Sequence, residues 1–273
     1  MQELFSMELS KVKLVVTDMD GTLLNSRHEV SNRFFDVYHK LSDKGVQFVA
    51  ASGRQYNNIV SKLIPIKDEL IFIAENGGIV IYGDEEWLHI PLDDSLKNKV
   101  LTVVENSPDM YPVLCTKNMA YIRKDHTHFV SLLQEYYTQF GYLDNLVTFA
   151  DEVIKIAVFH EEDSEKYIYP VVRQFENESM VKVSGQQWVD LSHMDAHKGH
   201  ALKEVQARLN ISPAETMVFG DYNNDLEMME QAAFSFAMAN AHPNVQAVAR
   251  YATESNDAFG VEIVLEKLLE DLS

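Results

Sequence analysis

The stretch KLVVTDMDGTLL, residues 13–24, decides the fold. Its β-branched start predicts a short buried strand, and Asp18 follows that strand directly. In an open α/β sheet the ligand site lies beyond the carboxyl ends of the strands. Asp18 and Asp20, two positions apart on an extended segment, point the same way, so one carboxylate can attack while the other transfers protons. Gly21 lets the backbone turn so that amide groups face an anion.

Short apolar runs alternate with amphipathic helical stretches on both sides of this motif. This alternation predicts an α/β protein with a mainly parallel sheet. Apolar residues recur at helical spacing over residues 30–44, and residues 46–50 and 70–74 predict two further strands. The run GGIVIYGDEEWLHI predicts a hairpin with Gly83 and Asp84 in its turn.

The pattern changes between residues 84 and 192. Helices expected over 94–106, 126–140 and 164–177 are separated by candidate strands at 111–116, 120–123, 153–160, 180–184 and 187–191. The first pattern then resumes, with a helix over 197–209, a strand over 216–220 and a helix over 224–232. We therefore expect a discontinuous core, residues 1–83 and 193–273, interrupted by an inserted α+β domain at 84–192.

The composition excludes several classes of function. The 273 residues carry 42 Asp and Glu against 23 Lys and Arg, a net charge of −19. Proteins that bind nucleic acid or anionic membrane surfaces need clustered basic residues, so neither is an expected partner of this chain. A single cysteine, Cys115, excludes an intrachain disulfide framework and a Cys-rich metal site. With no secretory signal and no apolar run long enough to span a bilayer, we expect a cytoplasmic protein.

Polar and charged residues also follow the other predicted strands. These residues are Ser52, Gly53 and Arg54 after the second strand, Glu75 and Asn76 after the third, Lys198 near the start of the helix at 197–209, and Asp221, Asn224 and Asp225 after the strand at 216–220. Each of them alone is compatible with a turn or a helix cap. Together at one edge of a sheet, these residue types are suited to bind a hard divalent cation and a phosphoryl group.

These motifs resemble the haloacid dehalogenase-like (HAD) superfamily of phosphatases, in its Cof-type branch with a large α/β (type IIB) cap. The matching stretches are DMDGTLL (18–24), ASGR (51–54), AENGG (74–78), HKGHAL (197–202) and GDYNND (220–225). The resemblance implies a Rossmann-like three-layer core with an inserted cap. It also implies an Mg²⁺-dependent phosphatase that acts on small phosphorylated metabolites, with sugar phosphates as the expected class.

The same resemblance implies roles for single residues. Asp18 is the expected nucleophile, which forms an aspartyl phosphate, and Asp20 is the expected general acid and then base. Mg²⁺ would be held by Asp18, the main-chain carbonyl of Asp20, and Asp221. The other expected residues are Ser52, Gly53, Lys198 and Asn224 for the phosphoryl oxygens, Asp225 and Thr22 as supporting groups, and Arg54 and Asn76 as candidate substrate contacts.

Several alternatives stay open from the residues alone. A phosphomutase or phosphotransferase could use the same aspartyl phosphate if water were excluded. A phosphate or metabolite sensor without turnover is disfavoured, because a second carboxylate at Asp20 promotes hydrolysis. Arg54 could clamp a substrate anion or pair with Glu75. Neither the oligomeric state nor the choice among cap residues such as Arg123, Lys155 and Trp188 is determined by any motif.

Overall fold

The first part of the chain builds most of one sheet. The computed structural model describes residues 9–126 and 129–273. The first five strands are β1 (Leu14–Asp18), β2 (Gln47–Ala51), β3 (Ile71–Ala74), β4 (Ile79–Tyr82) and β5 (Glu85–His89). Strand β1, expected from the opening motif, is buried along its whole length. Strands β4 and β5 form the expected hairpin, with Tyr82 opposite Glu85 and Gly83 at a φ of +57° in the turn.

Two helices connect these strands. Helix α1 (Asn32–Ser42) begins at Ser31, whose hydroxyl accepts a hydrogen bond from the backbone N–H of Phe34. Its buried face, which includes Phe34, Val37 and Leu41, follows the helical spacing seen in the sequence. Helix α2 (Tyr56–Lys62) is followed by a 3₁₀ turn at Ile64–Ile66, where Pro65 prevents continuation.

The middle of the chain forms a second sheet. Its strands are β6 (Tyr111–Cys115), β7 (Ala120–Arg123), β8 (Phe140–Leu143), β9 (Lys155–Phe159), β10 (Met180–Gly185) and β11 (Trp188–Ser192). The spatial order is β10-β11-β9-β6-β7-β8, and only β7 and β8 run parallel. The helices of this part are α3 (Asp94–Glu105), α4 (Val130–Leu133), α5 (Ser164–Tyr167) and α6 (Tyr169–Val172).

The chain then returns to the first sheet. Helix α7 (Lys198–Leu209) is followed by β12 (Thr216–Gly220), α8 (Leu226–Met229), β13 (Phe234–Ala237), α9 (Pro243–Val248), β14 (Tyr251–Ala252) and α10 (Gly260–Asp271). The first sheet has the order β14-β13-β12-β1-β2-β3-β4-β5. All neighbours from β14 to β3 are parallel, which confirms the mixed but mainly parallel α/β core. Helices α1 and α10 pack together, as do α7 and α8.

This topology places the site. Strands β1, β2 and β12 are adjacent and parallel, so the residues after Asp18, Ala51 and Gly220 meet at one edge. The chain leaves the first sheet after β5, forms the second sheet, and returns to the first sheet through α7. Among the described residues, no helix combines the length and apolarity that crossing a membrane requires.

The structure corrects several expected boundaries. Strand β5 pairs with β4 in the first sheet, so the passage to the second sheet lies after His89 and not at residue 84. The helix expected over 164–177 is broken into α5, α6 and a 3₁₀ turn at Arg173–Phe175, since Pro170 cannot donate a helical hydrogen bond. The helix expected over 224–232 is a 3₁₀ turn at Asn223–Asp225 followed by the single turn α8.

The helix expected over 126–140 is also much shorter. Residues 127 and 128 lie outside the described residues, and the described part contains only the turn α4. Strand β8 follows it and pairs with β7. Gly141 makes this pairing close, because a Cβ there would lie 2.3 Å from the ring of Tyr121. Tertiary contact with β7 therefore outweighs the helical pattern of the segment.

Candidate active site

Asp18 lies at the buried end of β1 and pairs with a lysine from a distant helix. Lys198 is the first residue of α7, and its Nζ lies 2.5 Å from Asp18 Oδ1 and 2.6 Å from Asp225 Oδ1. The Lys198 and Asp225 side chains are fully buried. Burial alone would lower the pKa of Lys198, but the two carboxylates outweigh it and raise this pKa above its ordinary value. Lys198 therefore stays a cation beside Asp18.

Three buried carboxylates lie close together beside Lys198. Asp18, Asp221 and Asp225 each offer an oxygen, and these oxygens lie within 4.8 Å of one another. Burial raises the pKa of Asp18 to about 7, against the opposing charge of Lys198. Burial and the neighbouring Asp18 and Asp225 also raise the pKa of Asp221 well above its usual range. One lysine does not neutralise three carboxylates, so the donor set fits a hard divalent cation such as Mg²⁺.

The turn after β1 is built around Asp221. Gly21 has a φ of +73°, and a Cβ there would lie 2.2 Å from Asp221 Oδ2. The Thr22 hydroxyl donates a hydrogen bond of 3.1 Å to Asp221 Oδ1. Asp225 Oδ2 accepts hydrogen bonds from the backbone N–H groups of Asp221 and Tyr222. Thr22 and Asp225 thus both form hydrogen bonds with residues of the loop at Asp221 and Tyr222.

Three of the expected phosphate-binding residues converge from two strands. Ser52 and Gly53 follow β2, Asn224 follows β12, and all three line the same cavity as Asp18. The Ser52 hydroxyl accepts a hydrogen bond of 3.0 Å from the backbone N–H of Arg54. Asn76, expected as a candidate substrate contact, lies behind this group. Its Oδ1 accepts a 3.0 Å hydrogen bond from Asn224, and its Nδ2 donates to Asp190.

Asp20 is held by Arg54. Arg54 Nε and Nη2 donate hydrogen bonds of 2.7 and 2.6 Å to the two oxygens of Asp20. Burial alone would raise the pKa of Asp20, but the hydrogen bonds and charges of Arg54 and His28 outweigh it. They hold this pKa well below its usual range. Asp20 is therefore a carboxylate in this arrangement.

Arg54 also contacts residues between β7 and β8 of the second sheet. Its guanidinium is 1% exposed, lies 3.0 Å from Glu135 Oε1, and sits over the Tyr136 ring at 4.9 Å. The Glu135 backbone carbonyl accepts a further hydrogen bond from Arg54 Nη1. The prediction that Arg54 could pair with Glu75 is wrong, since the carboxylates of Asp20 and Glu135 occupy it.

Glu75 has another partner. Lys155, the first residue of β9, places its Nζ 3.0 Å from Glu75 Oε2, 3.1 Å from Asp190 Oδ2 and 2.5 Å from the carbonyl of Gly53. All three charged side chains are buried. This cluster joins the loop after β2, the loop after β3 and two strands of the second sheet.

A cavity of about 340 Å³ lies between the two sheets. Lys155 and Trp188, which the sequence left undistinguished, both line it, whereas Arg123 forms an ion pair with Asp125 elsewhere. Glu135 and Tyr136 were not anticipated, because nothing in their local sequence marks them. His197, close in sequence to His193 and His200, caps α7 by accepting a hydrogen bond from the backbone N–H of His200.

Comparison with known proteins agrees with this geometry. A family model described as haloacid dehalogenase-like hydrolase matches residues 15–265. The chain is 34% identical over 265 residues to the 5-amino-6-(5-phospho-D-ribitylamino)uracil phosphatase YbjI of Escherichia coli, covering 95% of this chain and 97% of the relative. It is 28% identical to the phosphatase YwpJ of Bacillus subtilis, covering 94% and 100%.

Solved structures share the fold. A Streptococcus mutans protein matches with a TM-score of 0.89 and 28% identity, covering 95% of this chain and 99% of that one. A sugar phosphatase of HAD subclass IIB matches in fold with a TM-score of 0.81 and 20% identity, covering 93% and 98%. The family match, the curated phosphatase relatives and the clustered aspartates agree. The chain belongs to the haloacid dehalogenase-like hydrolase family and is an enzyme of its phosphatase class.

Proposed function

We propose that this enzyme hydrolyses small phosphorylated metabolites through an aspartyl phosphate on Asp18 and depends on Mg²⁺. The observation that carries the proposal is the buried Asp18 carboxylate at the floor of the cavity, paired with Lys198 and flanked by Asp221. A carboxylate that attacks a phosphate monoester faces like-charge repulsion, so opposing charge must be present. When bound, Mg²⁺ would supply most of that charge and polarise the phosphoryl group.

The proposed reaction has two steps. Asp18 attacks phosphorus, the bond from phosphorus to the substrate oxygen breaks, and the leaving alkoxide takes a proton from Asp20. Water then gives a proton to Asp20 and attacks the aspartyl phosphate, which releases phosphate and restores the Asp18 carboxylate. General acid–base catalysis of this kind contributes about 10²–10⁴ in rate.

The contacts of Asp20 support a specific condition for the first step. While Arg54 holds both carboxylate oxygens, Asp20 is ionised and suits the role of base better than that of acid. Proton donation therefore requires that Asp20 first gain a proton and that its hydrogen bonds with Arg54 weaken. Because Arg54 also binds Glu135, a movement of the second sheet relative to the first would change those hydrogen bonds.

A panel of phosphate monoesters tests the proposal. Purified protein with Mg²⁺ is expected to release phosphate from p-nitrophenyl phosphate and from several metabolites. The ribitylaminouracil phosphate for which the E. coli relative is named belongs in the panel, together with sugar phosphates. The Asp18→Asn variant should lose turnover, and Asp36→Asn, an exposed position on α1, should retain it. Normal turnover by Asp18→Asn would overturn the assignment of the nucleophile.

Product analysis separates the other reactions. A mutase would return an isomerised phosphate ester without free phosphate, and a phosphotransferase would phosphorylate an added alcohol. A sensor would accumulate stable phosphoprotein after treatment with acetyl phosphate. Release of stoichiometric free phosphate with no stable phosphoprotein is the result that the proposal expects.

A further inference from the structure

The cavity has two chemically different ends. Its floor is the aspartate cluster with the Ser52–Gly53 turn and Asn224. Its opposite wall comes from the second sheet's domain and contains Tyr136, Ser184, Gln186, Gln187 and Trp188. With the phosphoryl group on the floor, the leaving group must lie against this wall. The volume of about 340 Å³ suits a small molecule.

The cations that line the cavity are already neutralised. Among the described residues, the lining contains two cations, Arg54 and Lys155. Arg54 lies 2.6 Å from Asp20 and 3.0 Å from Glu135, each distance measured to a carboxylate oxygen. Lys155 lies 3.0 Å from Glu75 and 3.1 Å from Asp190. Each cation is therefore shared by two carboxylates, and neither is available to a ligand anion.

The same lining is rich in negative charge. It contains four aspartates, Asp18, Asp20, Asp190 and Asp221, against those two cations. A cation on the floor would offset the charge of the reacting phosphoryl group only. Lys155 carries one positive charge against the two carboxylates of Glu75 and Asp190, so a second anionic group near the wall would meet excess negative charge and, among the described lining residues, no unpaired cation.

The wall itself offers neutral contacts. Ser184, Gln186 and Gln187 supply a hydroxyl and two amides, which can exchange hydrogen bonds with hydroxyl or amide groups of a ligand. Tyr136 and Trp188 supply aromatic surface, with their ring centroids 5.6 Å apart. Such a wall suits carbon-bound hydroxyls, which combine apolar faces with polar edges, and uncharged planar rings.

From these contacts we propose that the enzyme selects monoesters whose leaving alcohol is uncharged, and discriminates against substrates that carry a second phosphate or a carboxylate. The inference rests on the proposed phosphatase function and names the substrate class of the same cavity. Uncharged polyols, sugars and nucleobase-bearing alcohols fall in the accepted class. Bisphosphates and phosphorylated sugar acids fall in the rejected one.

Matched substrate pairs test this discrimination. Sorbitol 6-phosphate and 6-phosphogluconate differ in one terminal hydroxymethyl or carboxylate, and fructose 6-phosphate and fructose 1,6-bisphosphate differ in one phosphate. We expect kcat/KM to be lower for the charged member of each pair by at least about tenfold, the factor that about 1.4 kcal/mol of repulsion produces. Equal or higher kcat/KM for the charged members would overturn the inference.

A gain-of-function variant sharpens the test. Gln186 is exposed, so Gln186→Lys adds an unpaired cation to the wall with little risk to folding. This variant should raise the charged-to-neutral ratio of kcat/KM by about three- to tenfold. Gln186→Met, which changes the side chain without charge, should not raise the ratio. Gln174→Lys, an exposed position outside the cavity, should not raise it either. An unchanged ratio in Gln186→Lys, or an equal rise in Gln174→Lys, would count against the inference.

The two levels of the argument fail in different ways. If p-nitrophenyl phosphate and every monoester were inert with Mg²⁺, the proposed function would fail and the inference with it. If p-nitrophenyl phosphate were hydrolysed and the charged member of each pair were preferred, only the substrate class would be wrong.

Discussion

Replacing Lys155 by methionine should destabilise the protein by about 3–5 kcal/mol at neutral pH, the usual cost of removing one partner from a buried ion pair. Lys155 is 2% exposed and is shared by Glu75 and Asp190. Asp190 keeps its hydrogen bond from Asn76 in the variant. Glu75 keeps nothing, because apart from the ion pair neither of its carboxylate oxygens has a hydrogen-bond partner among the described residues.

The loss of stability in Lys155→Met should be greater at higher pH. Burial already raises the pKa of Glu75 above the 4.5 of the free side chain, although Lys155 opposes it. Loss of Lys155 raises the folded-state pKa further, so the folded state binds more protons than the unfolded state. Stability then falls as pH rises through this range. The penalty of Lys155→Met should therefore be smaller at pH 5.5 than at pH 7.5.

Urea unfolding followed by circular dichroism measures these effects through the midpoint and slope. The double variant Lys155→Met/Glu75→Gln should recover at least about 1 kcal/mol at pH 7.5, because the buried charge is gone. Lys124→Met is the control, since the Lys124–Asp144 pair is exposed and worth about 0–1 kcal/mol. A penalty below about 1 kcal/mol, or one equal at both pH values, would refute the reasoning.

Three further outcomes are expected. Gly21→Ala and Gly45→Ala both place alanine at positive φ, which costs about 1–2 kcal/mol of backbone strain. Only Gly21→Ala also places a Cβ 2.2 Å from Asp221 Oδ2, so only this variant should lose most of kcat. Addition of Mg²⁺ should raise the melting temperature of the wild type, and an equal rise in Asp221→Asn would contradict the metal assignment. Glu135→Gln should raise KM by about two- to fivefold. Little stability should be lost, because the glutamate of the pair with Arg54 is partly exposed. Steady-state kinetics and urea unfolding measure both effects, and a constant KM would indicate a purely structural role.

The core and its rim of polar residues were largely predictable because their signals are local. A buried strand followed by Asp18, a hairpin turned at Gly83, and a helix with apolar residues at helical spacing each depend on neighbours within a few positions. Parallel strands bring their carboxyl ends to one edge whatever the loops do, so the convergence of Asp18 and Asp221 followed from the fold class.

The partners of the charged residues were not predictable from the sequence. Arg54 binds Glu135, which is 81 positions away, and Asn76 binds Asp190 at a separation of 114. No periodicity encodes such pairs, because they depend on how the residues of the second sheet lie against the first sheet. Pairing with β7 inside the second sheet decides that β8 is a strand, and contact between the two sheets pairs Glu75 with Lys155.

The sequence by itself determined the fold class, the order of the motifs and the residues offered at the rim, since these depend on local geometry and on strand direction. Only the tertiary structure decided which charges are already neutralised and which face the cavity. That decision depends on desolvation and on long-range packing, which the linear order of residues does not express. For this enzyme, the tertiary structure separates the residues available to a substrate from those that hold the two sheets together.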